Sequence, residues 1–209
     1  MAKKYQNKYR IESARLQNWD YRREGAYFIT ICTKNRKHYF GKIKNGKMEF
    51  SNIGIIADIL WSEIINHNDN IELGEFVVMP NHIHGILILN NNNTVVVETL
   101  HATSLRQRQQ QTENKNDYFS SISPKSNSIS TIIRSYKSAV TKHCHRLGFE
   151  FGWQTRFWEH IIRNNDEFYR ISQYIIDNPL KWENDKLNGG NGNIVMENVA
   201  EYNSEIWMI

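Results

Sequence analysis

The sequence predicts an α+β sandwich, one antiparallel sheet with helices packed on it. Three observations carry this. Apolar, β-branched and aromatic runs of strand length recur at residues 26–33, 72–79, 82–89 and 157–162. Two of them are separated only by Pro80-Asn81, a connection too short for anything but antiparallel neighbours. Segments with helical periodicity alternate with these runs, giving the order β(β)αββ, insertion, αβα.

Each element has its own local reason. Ala26-Tyr27-Phe28-Ile29-Thr30-Ile31-Cys32-Thr33 is β-branched and aromatic throughout, hence a strand. Lys44-Asn45-Gly46-Lys47 reads as a hairpin turn with a short strand on either side. Ile56, Ile59, Leu60 and Ile64 share one face of a helix over residues 53–66, which Ser51 or Asn52 caps. A second helix runs from Ser128 or Ser130 to about Leu147, with Ile129, Ile132, Ile133, Tyr136 and Val140 as its apolar stripe. Arg134, Lys137, Lys142 and Arg146 make its other side basic. A last helix over residues 166–178 is capped by Asn164 or Asn165 and stopped by Pro179, which disfavours helix at the residue before it. The whole order suits a ferredoxin-like sandwich.

The chain of 209 residues reads as one domain over residues 1–187 with a core of ordinary size. Residues 90–127, rich in Asn, Gln, Ser and Thr without sustained periodicity, read as a low-complexity mobile insertion. The Asn188-Gly189-Gly190-Asn191-Gly192 break begins a flexible tail, residues 188–209. A net charge of +4, concentrated at the N-terminus and between residues 34 and 44, fits nucleic-acid binding without demanding it. Cys32 and Cys144 are too few for a disulfide framework and lack zinc spacing. No apolar run approaches ~20 residues, and no signal peptide opens the chain, so the expectation is a cytoplasmic protein with no membrane partner.

Chemistry concentrates in two places. In Asn81-His82-Ile83-His84-Gly85 the strand alternation puts His82 and His84 on one face and Ile83 on the other, a ready pair of metal ligands. Taken alone, two histidines on a strand are as well explained as polar surface. In the last helix Tyr174 and Asn178, spaced i, i+4, share a face beside the Phe168/Ile171/Ile175 stripe. A phenolate can attack phosphorus and store the bond as an ester. A divalent ion on His82 and His84 would polarise the phosphate, and Asn178 could supply a third ligand oxygen. On helical pattern alone, Tyr174 reads first as a core-edge aromatic, and Asn178 can equally be the residue that ends a helix before proline. Arg156 and Arg163 are candidates for phosphate contacts, or else surface residues bridged to Glu159 or Asp166.

His82-Ile83-His84, Trp153-Gln154-Thr155-Arg156-Phe157-Trp158 and Tyr174-Ile175-Ile176-Asp177-Asn178-Pro179 together resemble the single-tyrosine HUH transposase superfamily, closest to the REP-associated tyrosine transposases. The resemblance covers residues 21–89 and 129–187. It implies a metal-dependent single-stranded DNA nickase and strand transferase acting near DNA hairpins. Tyr174 would form a 5′-phosphotyrosine and leave a free 3′-OH, while His82, His84 and Asn178 would hold Mg²⁺ or Mn²⁺. The partner would be single-stranded or hairpin DNA, and the enzyme a homodimer or a monomer. Relatives often carry an acidic residue where this chain has Asn81. Two rivals stand beside this reading. One is a catalytically lapsed module that only grips nucleic-acid hairpins; the other is a metallohydrolase with water as nucleophile, which would want carboxylate ligands.

Overall fold

A computed structural model describes residues 19–90 and 128–188, together with the backbone of Lys4–Tyr5 and Lys8–Tyr9. The proposed insertion and tail fall outside these residues, apart from their ends at Asn90 and Asn188. In chain order the principal elements are β1 (Gly25–Cys32), β2 (Gly41–Lys44), β3 (Lys47–Phe50), α1 (Asn52–Ser62), β4 (Ile71–Val78), β5 (His82–Leu89), α2 (Ile129–Arg146), β6 (Trp158–Ile162) and α3 (Asn165–Asp177).

The sheet has the order β4-β5-β1-β6, and every neighbouring pair is antiparallel. Leaving the small β2–β3 hairpin aside, β1-α1-β4-β5-α2-β6 is the βαββαβ succession of a ferredoxin-like fold. The hairpin turns at Asn45-Gly46, both with left-handed φ (51° and 70°), as a two-residue hairpin of this twist requires. Helix caps fall where the sequence places them. Ser51 accepts from Gly54 N, Ser128 from Thr131 N and Asn164 from Glu167 N. The first helix is shorter than its periodicity predicts, because it tightens into a 3₁₀ turn over Glu63–His67.

The pleat separates two cores. On one side Tyr27, Ile29, Ile31, Ile83 and Leu87 meet Ala57 and Trp61 of α1 and Ile133, Tyr136 and Val140 of α2. The Tyr136 hydroxyl crosses between these helices to donate to the Ala57 carbonyl (2.8 Å). A Cβ at Gly85 would collide with the Trp61 indole, so the indole lies flat on β5 only because that residue is glycine. On the other side Phe28, Ile86 and Ile162 meet Ile171 and Ile175 of α3. This third helix, packed on the face opposite α1 and α2, makes the molecule three layers deep.

Candidate active site

Register puts the polar residues of the sheet on the α3 side. Thr30 pairs with His84 and Cys32 with His82, so these side chains share the face of Phe28, while Ile31 and Ile83 point the other way. Both imidazoles are fully buried, His82 at 0% and His84 at 1% exposure. Their ring centroids lie 4.4 Å apart.

Helix α3 brings the tyrosine. Its N-terminus is anchored to β6 where His160 Nε2 meets Glu167 Oε1 at 2.8 Å and Glu167 Oε2 accepts from Arg163 N at 2.7 Å. Ile171 and Ile175 then seat the helix on the sheet, with Tyr174 edge-on to Phe28. The Tyr174 hydroxyl reaches His84 Nε2 at 3.3 Å. One turn on, Asn178 is 3% exposed at the helix C-cap, and its Oδ1 accepts no hydrogen bond. His82, His84, Tyr174 and Asn178, separated by up to 96 positions in sequence, therefore converge on one spot.

The histidines are oriented from behind. Asn81 Nδ2 faces two carbonyl oxygens, of Leu187 (2.7 Å) and Arg36 (3.3 Å), which fixes the amide. Its Oδ1 then accepts from His82 Nδ1 (2.8 Å), so His82 carries its proton on Nδ1 and presents a bare Nε2. That buried Nε2 has no hydrogen-bond partner. His84 Nδ1 meets Thr30 Oγ1 at 2.8 Å; with that proton donated to threonine, the Tyr174 O–H donates to Nε2. A backing oxygen on each histidine is an arrangement able to present imidazoles to a metal.

Electrostatics keep both rings neutral. Burial lowers His84 to about 3. Burial, with His84 and Arg36 nearby, holds His82 well below the usual histidine range, against a polar contact from Asn178. Tyr174 is pushed above the usual phenol range by burial and then by the charge of Asp185, while Asn178 works the other way. A cation placed among these groups would oppose both causes that raise the phenol.

Sequence reasoning missed Asp185. After Pro179 the chain doubles back through 3₁₀ turns at Trp182–Asn184 and Lys186–Asn188. Trp182 lies against His82, and Asp185 Oδ2 comes within 3.8 Å of His82 Nε2. One donor atom each from His82, His84 and Asp185 lie within 4.8 Å of one another, a cluster that can hold a metal ion. Nothing periodic marks Asp185 in Trp182-Glu183-Asn184-Asp185-Lys186; only the fold brings it back. Asn81 was legible as a departure from an acidic position, but its role in orienting His82 was not.

The two arginines separate. Arg156 is two residues before Trp158, which pairs with Thr30, so it stands at the histidine end of the sheet. Its φ of 67° is left-handed, and its carbonyl is held by Lys137 Nζ at 2.9 Å. Arg163 follows Ile162, which pairs with Ala26, and stands toward the other end.

No family model matches the chain. An uncharacterised protein of Haemophilus influenzae is 35% identical over 179 residues, which is 84% of this chain and 91% of that protein. The REP-associated tyrosine transposase of Escherichia coli is 23% identical over 161 residues, 77% of this chain and 70% of the relative. The chain is thus similar in sequence, over most of its length, to a REP-associated tyrosine transposase. A solved structure of a REP-associated tyrosine transposase bound to a REP hairpin is 19% identical, with a TM-score of 0.49 over 81% of this chain and 74% of that one. This likeness supports a transposase-like function, and His82, His84 and Asp185 form a cluster able to hold a metal beside the Tyr174 hydroxyl. Among the described residues, no helix is long and apolar enough to cross a membrane.

Proposed function

We propose that this REP-associated transposase relative is a metal-dependent single-stranded DNA nickase and strand transferase, acting beside DNA hairpins through Tyr174. The observation that carries the reading is the Tyr174 hydroxyl 3.3 Å from His84 Nε2, next to a second neutral histidine with a bare nitrogen. The donor set fits a divalent ion. His82 Nε2 and Asn178 Oδ1 are buried polar atoms without hydrogen bonds, and a mixed imidazole and oxygen set suits Mn²⁺ or Mg²⁺. His82, His84 and Asn178 would hold it. Bound there, the ion would polarise the scissile phosphate and lower the charge barrier to attack.

The chain's own residues do the rest. Phe28 and Ile175 wall Tyr174 on its helix, so the hydroxyl is aimed rather than free to rotate into solvent. Its oxygen gives up the phenolic proton and bonds to phosphorus, the bond from phosphorus to the 3′-oxygen breaks, and that oxygen takes up one proton to leave as a 3′-OH, so that protons balance. The product is a 5′-phosphotyrosine, which a 3′-OH can attack in reverse to join strands. The target must be single-stranded or hairpin-flanking, because a duplex hides the phosphate. Arg156 and Arg163 would contact phosphates along the strand. The activity would reside in one cytoplasmic domain spanning residues 1–187, as a monomer or homodimer.

The test uses purified protein, Mn²⁺ or Mg²⁺ and labelled single-stranded oligonucleotides carrying hairpins from the DNA around its own gene. A label shift that survives boiling in SDS, requires the ion and vanishes in Tyr174→Phe is the expected result. Cleavage without an adduct would establish water as nucleophile. Hairpin binding that falls with salt, without cleavage, would reduce the protein to a binding module.

A further inference from the structure

We propose that Asp185 is a ligand of the ion held by His82 and His84, so that the metal fastens the segment 182–188 across the active site. This rests on the metal-dependent reading above and adds a carboxylate that the histidine pair and Asn178 do not supply.

The segment is built to deliver that side chain. Trp182 and Leu187 are buried, at 8% and 3% exposure, and flank the exposed Glu183, Asn184 and Lys186 like two pegs, with the Asp185 side chain turned inward between them. The Trp182 ring lies against His82 (6.0 Å between centroids) and His38 (5.5 Å). The Leu187 carbonyl accepts from Asn81 Nδ2, and the Lys186 carbonyl from Arg36 Nη1 at 3.1 Å. Asn188 closes the loop on itself by donating to the Trp182 carbonyl at 2.9 Å. Within it, Asp185 Oδ1 accepts from Leu187 N at 2.6 Å, which turns Oδ2 toward His82.

The spacing is that of two ligands rather than of a hydrogen bond. At 3.8 Å, Asp185 Oδ2 and His82 Nε2 are too far apart for a good hydrogen bond. Two ligands of one Mg²⁺-like ion lie at most about 4.2 Å apart, since each stands ~2.1 Å from it. His82 Nε2 is in addition a buried nitrogen without a hydrogen-bond partner, and Asn81 holds the ring's proton on the other nitrogen, Nδ1. Two neutral imidazoles and an amide give a divalent ion no counter-charge, whereas a carboxylate at this position gives it one. The same Asn81 that orients His82 also holds Leu187, so ligand orientation and segment position are set by one side chain. Linkage then requires reciprocity: an ion that binds Asp185 tightens the segment, and an ordered segment tightens the ion.

Mn²⁺ binding to the full chain is measured by calorimetry or by the loss of the free-ion EPR signal, for wild type, Asp185→Asn, Asp185→Glu and His84→Ala. In parallel, trypsin cleavage after the exposed Lys186 is timed with and without Mn²⁺. The expected result is affinity at least about tenfold weaker in Asp185→Asn, and Mn²⁺ protection of Lys186 in wild type that Asp185→Asn and His84→Ala lose. Should Asp185→Asn also melt lower, Asp185→Glu, which keeps the carboxylate, must recover part of the affinity. Binding that His84→Ala removes but Asp185→Asn leaves intact, with unchanged protection, overturns the role of Asp185 alone. Wild-type protein that binds no Mn²⁺ overturns the metal reading and this inference together.

Discussion

Strands β1 and β5 carry two faces that are equally buried and chemically opposite. Toward α1 and α2 they present Tyr27, Ile29, Ile31, Ile83 and Leu87, a continuous apolar layer. Toward α3, one residue out of phase, they present Thr30, His84 and His82, all under 5% exposed. The pleat turns Ile83 to one face and its two histidine neighbours to the other. Each face obeys its own rule. The first gains from every methylene removed from water, whereas the second withholds partners from His82 Nε2 and Asn178 Oδ1 at a cost in folding free energy. The difference teaches that the apolar face carries the stability which the polar face consumes, and that the two should be separable by mutation.

The sharpest break in that comparison is Tyr174→Phe. It should reduce cleavage and adduct formation by on the order of 10⁴-fold or more, because no neighbouring group replaces the nucleophile. Its melting temperature should stay close to wild type; a large drop would mean the hydroxyl serves the fold. His84→Ala comes next, taking ion-dependent cleavage to background while hairpin binding, followed by anisotropy, persists. Equal loss of both would make His84 structural.

Ile83→Ala is the complementary cut on the other face. It should cost about 2–5 kcal/mol in urea unfolding, yet leave the cleavage rate per folded molecule unchanged. Acid titration of the metal-free protein sharpens the contrast further. Both histidines are depressed in the folded state, His84 to about 3 from an ordinary 6.5. The unfolded chain therefore binds more protons between these values. Stability is fully present above pH 6.5 and falls as the pH drops toward 3, by up to about 1.4 kcal/mol per pH unit for each ring. A flat unfolding free energy across that window would show that the rings are not held neutral. The smallest effect belongs to the arginines: Arg156→Ala and Arg163→Ala should each lower the slope of log affinity against log salt by about 1 if each meets a phosphate. Arg156, at the histidine end, should also slow cleavage, whereas Arg163 should not.

Much of this was determined by the sequence alone, wherever the cause is local. Strand pleat put His82 and His84 together against Ile83, helical spacing put Tyr174 with Asn178, and Ser51, Ser128 and Asn164 marked helix starts by their side-chain oxygens. The succession of elements was enough for the antiparallel α+β fold, because a two-residue link between strands leaves few topologies open. What only the tertiary structure decided depends on contacts between distant segments. The packing of α3 on the sheet face opposite α1 and α2 brought Tyr174 to His84 across 90 positions. The reversal after Pro179 carried Asp185 to His82, and the fold closed Asn81 onto Leu187, 106 positions away. No periodicity encodes such meetings, since they follow from where packed layers bring the chain rather than from what any stretch of it prefers.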